Sequence, residues 1–193
     1  MTSFNYFIRQ AGFVIRIRKA NYVTRNFRKL WLSFLGMKVG KNTVLPKMHV
    51  TWPHQVSIGN KCILEHNISF KFDGIQKPGP SITIGDNAFI GSGCEFNIRK
   101  AIHIGNDALI ASGCKFIDHD HGYKLGSAIR VQHGVEAEIT LGNDVWLGCN
   151  VVVLKGVTIG NGGIVAAGAV VTKSIPENEV WGGIPARKLS GRK

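Results

Sequence analysis

The sequence predicts an all-β core wound as a stack of coils, three short extended segments to the coil, with a basic helical segment in front of it. Three observations carry that expectation: a hydrophobic repeat of six residues, 24 glycines that supply tight turns, and a helical period confined to the first third of the chain. The repeat is clearest from Leu141, where LGNDVW, LGCNVV, VLKGVT, IGNGGI, VAAGAV and VTKSIP follow one another in phase. A period of six does not fit 3.6 residues per helical turn. It fits extended segments joined by regular turns. One aliphatic side chain per unit points inward, and each coil pairs its backbone with the coils above and below.

Residues 1–37 stand outside the repeat. Phe4, Phe7, Ile8, Ala11 and Ile15 recur at helical spacing, as do Val23, Phe27, Leu30, Trp31 and Phe34. Eleven Lys and Arg (Arg9, Arg16, Arg18, Lys19, Arg25, Arg28, Lys29, Lys38, Lys41, Lys47 and Lys61) precede the first acidic residue, Glu65, whereas the remainder holds 13 basic and 12 acidic residues. The net charge of +12 therefore belongs to the front of the chain. No apolar run there is long enough to span a bilayer. Two roles remain open: a basic amphipathic segment on an anionic membrane surface, or a helical cap on the end of the coil. Nucleic acid is not expected, because no binding motif accompanies the charge.

The coil is predicted over 38–189, within one domain, with a basic tail at 190–193. Three hexads make a coil of 18, which is the spacing from Leu141 to Ile159. Ile58 to Ile84 is 26, so KFDGIQKPGP loops out; Ile104 to Leu141 is 37, so a larger excursion leaves the coil at about 117–138. Cys62, Cys94 and Cys114 fall fifth in their hexads and read as small buried residues, and with no CxxC pair the chain is expected to be reduced and cytoplasmic.

The excursion begins FIDHDHGYK, and functional residues concentrate on such departures from a rigid frame. Three readings fit its residues. It is a solvated polar loop; or His119 and His121 bind zinc with His103 or a residue of a neighbouring chain; or a histidine removes the proton from an acceptor hydroxyl. In an extended stretch His119 and His121 share one face, Asp118 and Asp120 the other. Glu136 or Glu138 is the alternative carboxylate partner for the base.

The hexads, with LIASGCKFIDHDHG, NDVWLGCNVVVLKGVTIG and AAGAVVTKSIPENEVWGGIPARKL, resemble the hexapeptide-repeat acyltransferases, in particular their O-antigen, capsule and maltose or galactoside O-acetyltransferase branch. The resemblance covers roughly 38–189. It implies a left-handed parallel β-helix, a homotrimer, and acetyl-CoA laid along the groove between subunits. Counting the family's interval from Gly105 places the base at His121, with His119 second. Carried over by position, Trp146, Cys149 and Ala167 line the pantetheine arm, Thr172 and Lys173 lie further along, and Arg187 with Lys188 faces the phosphates. Gly91 or Gly93 stands where relatives have a polar acceptor contact, so Glu95 and Asn97, with Asp118 and Asp120, are the acceptor candidates. The implied reaction is acetyl transfer to a sugar hydroxyl of a lipid-linked or nucleotide-linked polysaccharide precursor, without a metal. The alternatives are a free sugar, an amino sugar or an antibiotic as acceptor, or a zinc-dependent γ-carbonic-anhydrase-like or non-catalytic trimer.

Overall fold

In the computed structural model, residues 2–14, 21–73 and 77–193 are described. Ile15, Arg16, Arg18, Lys19 and the centre of the KFDGIQKPGP loop lie outside them, as do the side chains of Phe4 and Val23. Two helices, Thr2–Val14 (α1) and Asn21–Phe34 (α2), precede the coil. The rest winds through three sheets in turn. The first stacks Lys38–Val39, Val56–Ile58, Ile82–Ile84, Ile102–Ile104, Ile139–Leu141 and Thr158–Ile159. The second holds Ile63–Leu64, Phe89–Ile90, Leu109–Ile110, Trp146–Leu147, Ile164–Val165 and Glu179–Gly182. The third holds His49–Val50, Ser69–Phe72, Glu95–Ile98, Lys115–Ile117, Val152–Leu154 and Val170–Val171. Every one of these strands pairs in parallel, as in a left-handed parallel β-helix. The last strand, Arg187–Gly191, folds back antiparallel on Glu179–Gly182, and the Arg192 guanidinium donates to Asp144 Oδ2 at 2.7 Å.

The hexad explains the core. Its first residue (Ile84, Ile90, Ile104, Ile110, Leu141, Leu147) is buried, and so is its fifth (Ala88, Cys94, Ala108, Cys114, Val145, Val151). The sequence reading turned in one aliphatic side chain per unit and, at the fifth position, only the cysteines; the strand alternation turns in the fifth position of each of these hexads, two residues before the next first. Cys62, Cys94 and Cys114 lie in that inner column, and Cys149 alone of the four is exposed. Phe70, Phe96 and Phe116 stack with centroids 4.8 Å apart, the spacing of neighbouring strands.

The corner from the first sheet to the second sets how closely coils approach. A methyl group at Gly59, Gly85 or Gly105 would lie 2.6, 2.7 and 2.6 Å from the carbonyl carbon of the glycine one coil on. Beside this glycine column runs an amide ladder. Asn60 N donates to Asp86 Oδ1, Asp86 N to Asn106 Oδ1, Asn106 N to Asn143 Oδ1 and Asn143 N to Asn161 Oδ1, all at 2.7–2.8 Å. The next residue turns the corner at positive φ, at Lys61, Asn87, Asp107 and Asp144. The Gly–Asx pair of each IGDN-type hexad is thus a backbone spacer followed by a side-chain acceptor.

Gly105→Ala should therefore cost about 1–3 kcal/mol by overpacking, whereas Gly12→Ala in α1, where nothing lies within 4 Å, should be neutral or slightly stabilising. Denaturant unfolding of the two variants checks this; equal stabilities would contradict the spacer account.

Candidate active site

The excursion leaves the third sheet after Lys115–Ile117. Strand alternation turns the next side chain, Asp118, into the body, where it is fully buried. Its Oδ1 accepts Arg99 N at 2.9 Å, and its Oδ2 accepts Lys100 N at 2.7 Å and Ala101 N at 3.0 Å. Asp118 Oδ1 also lies 3.1 Å from His119 Nδ1. A carboxylate only accepts, so His119 Nδ1 carries the proton of this hydrogen bond. The His119 side chain is 8% exposed.

The outgoing and returning arms of the excursion pair for a few residues. Asp120 N donates to Val135 O, Ala137 N donates to Asp118 O, and His119 and Glu136 form an antiparallel bridge. Asp120 fixes the returning arm through Val135 N at 2.8 Å and reaches the next coil through Lys155 Nζ at 2.7 Å. The ammonium of Lys155, then the Val135 N–H, holds the Asp120 carboxyl below its ordinary range. Gly134 passes so close to Asp120 O that no side chain fits there. At the tip, Gln132 accepts from Lys124 N and donates to the carbonyls of Lys124 and Ser127. A cleft of about 390 Å³ opens beside these arms, lined among others by His121, Tyr123, His133, Val135 and Lys155. The His121 ring is exposed, with no hydrogen-bond partner among the described residues.

The structure thus divides the DHDH cluster. His121 faces the cleft. His119 has the carboxylate partner but little exposure. Asp118 ties the excursion to residues 99–101, and its burial leaves it no surface for an acceptor. Glu136 and Glu138 are exposed and do not bond His121 among the described residues. Glu95 and Asn97 point outward from the third sheet, Glu95 paired with Lys71 Nζ at 2.6 Å and Asn97 in register with Ile117. His103 sits on the outer face of the first sheet, 2.8 Å from Thr83 Oγ1, away from His119 and His121. No three His, Cys, Asp or Glu converge among the described residues.

The donor candidates occupy other places. Trp146 is 49% exposed on the outer face of the second sheet. Cys149 and Ala167 stack one above the other at the corner joining the second sheet to the third, with Gly168 N donating to Cys149 O. Thr172 and Lys173 follow Val170–Val171 at the corner from which the excursion springs, one coil beyond Lys155. Arg187 Nη1 donates to Ala186 O, and Lys188 pairs with Glu179. In one chain, the corner bearing Cys149 and the corner bearing His121 are separated by the whole third sheet. Lys155, His133, Tyr123 and Gln132 were not singled out from the sequence. Lys155 is 35 residues from Asp120, and only coil stacking reveals their contact.

Two expectations follow. Asp118→Ala, which strands three buried N–H donors, should cost about 3 kcal/mol or more in denaturant unfolding, and an unchanged midpoint would contradict the anchoring role. The Asp120 tie should hold above the ordinary carboxylate value of about 4 and be lost as pH falls through its depressed folded value. In an NMR titration Lys155→Met should raise the Asp120 value toward the ordinary one; no shift would show that the ion pair is not the cause.

Comparison with known proteins places this geometry. The pattern of the bacterial transferase hexapeptide (six repeats) matches residues 138–173, and that of the hexapeptide repeat of succinyl-transferase matches 81–114. The chain is 34% identical over 178 residues to a putative acetyltransferase of Schizosaccharomyces pombe, covering 92% of this chain and 73% of the relative. It is 33% identical over 127 residues to galactoside O-acetyltransferase of Escherichia coli, covering 55% of this chain and 62% of that one. It is 29% identical over 167 residues to the putative colanic acid biosynthesis acetyltransferase WcaF of the same organism, covering 85% and 74%. A hexapeptide-repeat containing acetyltransferase of Vibrio cholerae, solved with acetyl coenzyme A, superposes with a TM-score of 0.59 at 27% identity, covering 87% of this chain and 78% of that chain. The chain belongs to the hexapeptide-repeat acetyltransferase family.

Proposed function

We propose that the protein transfers an acetyl group from acetyl-CoA to a sugar hydroxyl, with His121 as general base and a surface-polysaccharide precursor, lipid-linked or nucleotide-linked, as acceptor. The observation that carries the reading is the position of His121: an exposed ring lining a cleft, on an excursion anchored to a rigid coil, in a chain of this family. The relatives supply the acceptor class, one being a galactoside O-acetyltransferase and another a putative colanic acid biosynthesis acetyltransferase.

The chemistry needs few groups. His121 takes the proton of the acceptor hydroxyl as its oxygen attacks the thioester carbonyl. The carbon–sulfur bond then breaks, the acetyl group stays on the sugar oxygen, and the proton is available to the departing thiolate. Donated N–H groups are expected to hold the developing oxyanion. Trp146, Cys149 and Ala167 suit a thin pantetheine arm, being exposed and, at the two corner positions, small. Arg187 is the cation best disposed toward phosphate, because Lys188 is already paired with Glu179.

A homotrimer reconciles the two corners. A neighbouring copy would bring its excursion to the corner bearing Cys149 and Ala167. In support, Ile63, Phe89, Leu109 and Trp146 form one register row on the outer face of the second sheet, and Ile63, Leu109 and Trp146 are each 47% exposed or more. Such a row is suited to burial against another copy.

A second reading takes His119 as base, favoured by the buried Asp118 behind its Nδ1. Steady-state rates with a panel of nucleotide sugars and free sugars decide between them. His121→Ala should lose roughly 10²–10⁴-fold in kcat with coenzyme A binding retained, and His119→Ala should lose less. A larger loss at His119 reverses the assignment. Absence of acetyl-CoA turnover with every acceptor would overturn the transferase reading.

A further inference from the structure

Helix α2 is charged on its inner side and apolar on its outer side, the reverse of a helix that meets water. On the inner side, Lys29 Nζ donates to Gly40 O at 2.6 Å, Arg28 Nη1 donates to Leu45 O at 3.1 Å, and Leu32 packs on the core. These contacts fasten the helix over the first coil, so it does cap the β-helix. A cap alone would present polar residues outward. Instead Phe27, Leu30, Trp31 and Phe34, which share one side at 3.6 residues per turn, are 69%, 71%, 54% and 81% exposed.

The coils that α2 caps carry an excess of cations. Lys38, Lys41, Lys47 and Lys61 are exposed on the first coils, and no acidic residue precedes Glu65. The nearest carboxylates in sequence are engaged, Glu65 accepting Ser92 N and Asp73 pairing with Arg99. Asp86, one coil on, lines a shared cleft with Lys41 and Lys61, and Lys38 and Lys47 stand outside that cleft. Helix α1 carries exposed Tyr6, Phe7, Ile8, Phe13 and Val14 and, among its described side chains, a single charge, Arg9. No described helix is long and apolar enough to cross a membrane.

We propose that the outer face of α2 is an interfacial membrane anchor that seats the N-terminal end of the β-helix on an anionic lipid surface. Aromatic and leucine side chains enter the headgroup boundary, and the exposed lysines of the first coils meet the lipid charge. The charge pattern favours an anionic bilayer over the matching face of a second copy, because a two-fold contact would bring like cations together; a contact with another face of a neighbouring copy is an outcome the test reads. The inference is independent of the acetyl-transfer reading. Combined with it, the anchor keeps the His121 cleft near an acceptor carried on lipid.

The test is co-sedimentation of the full chain with phosphatidylcholine vesicles, with and without phosphatidylglycerol. The intact protein should bind the anionic vesicles, bind the neutral ones weakly, and release at high salt. The triple variant Phe27→Ser, Trp31→Ser, Phe34→Ser should bind anionic vesicles at least about tenfold more weakly. Circular dichroism should show it folded, and its turnover of a soluble acceptor should match that of the intact chain. Leu30→Ser alone, a milder change, should weaken binding in the same direction. Indifference of the intact protein to anionic vesicles overturns the proposal. So does equal vesicle binding by variant and parent, or a lipid-free change of oligomeric state in the variants, which would make the face a contact between copies. Vesicle binding by the intact chain without acetyl transfer to any acceptor would overturn the acetyl-transfer reading and leave the anchor standing.

Discussion

At the corner where the first sheet passes to the second, Gly59, Gly85, Gly105 and Gly142 face one another across successive coils with no room for a methyl group. That contact fixes the coil spacing, and the parallel pairing of all three sheets depends on it. The Asx residue beside each glycine accepts the N–H of the coil before it, so a corner that would otherwise expose backbone donors is closed by side chains. The phenylalanine stack inside the third sheet repeats at the same interval. The fold is an array of identical small constraints, and an insertion is tolerated wherever the chain leaves one corner and returns to the same column.

The excursion uses that freedom. It leaves after Ile117 and rejoins the first sheet at Ile139, and its base is held by Asp118 on one side and by the Asp120–Lys155 pair on the other. The two aspartates that flank the histidines in sequence thus act on the frame. One points into the body and the other clamps the returning arm. The two histidines, the proposed candidates for the base, are left in different settings: His119 beside a buried carboxylate, His121 open to the cleft. Rigidity comes from the coil and access from the loop, a division common to sites built on repetitive scaffolds.

The fold was legible in the sequence because a six-residue period is a local signal that each unit repeats. The inward first residue, the buried cysteines and both excursions were read from spacing alone, and the two helices from a period of 3.6. Handedness needed the family resemblance, since the usual crossover rule points the other way. The site was legible only in part. The interval from Gly105 singled out His121 as the candidate base, and alternation put Asp118 on the opposite face from it, but nothing local revealed that Asp118 would gather the N–H groups of 99–101. Lys155 and Gln132 were missed because their partners are 35 and 8 residues away, joined by coil stacking and loop closure that no short motif records. The charge imbalance at the front was plain, but periodicity could not show that α2 is fastened by its cations and bare on its aromatic side.

The central claim is that a rigid coil presents His121 from one subunit to the donor groove of the next. Complementation between inactive variants tests it most directly. A chain with His121→Ala keeps the groove; a chain with Ala167→Trp keeps the base but fills the corner where the pantetheine arm is proposed to lie. Acetyl transfer is measured for each alone and after the two are co-expressed and purified as mixed assemblies. The account predicts that neither variant turns over alone and that the mixture recovers activity, because some interfaces pair an intact groove with an intact His121. No recovery from assemblies shown to contain both chains would contradict it.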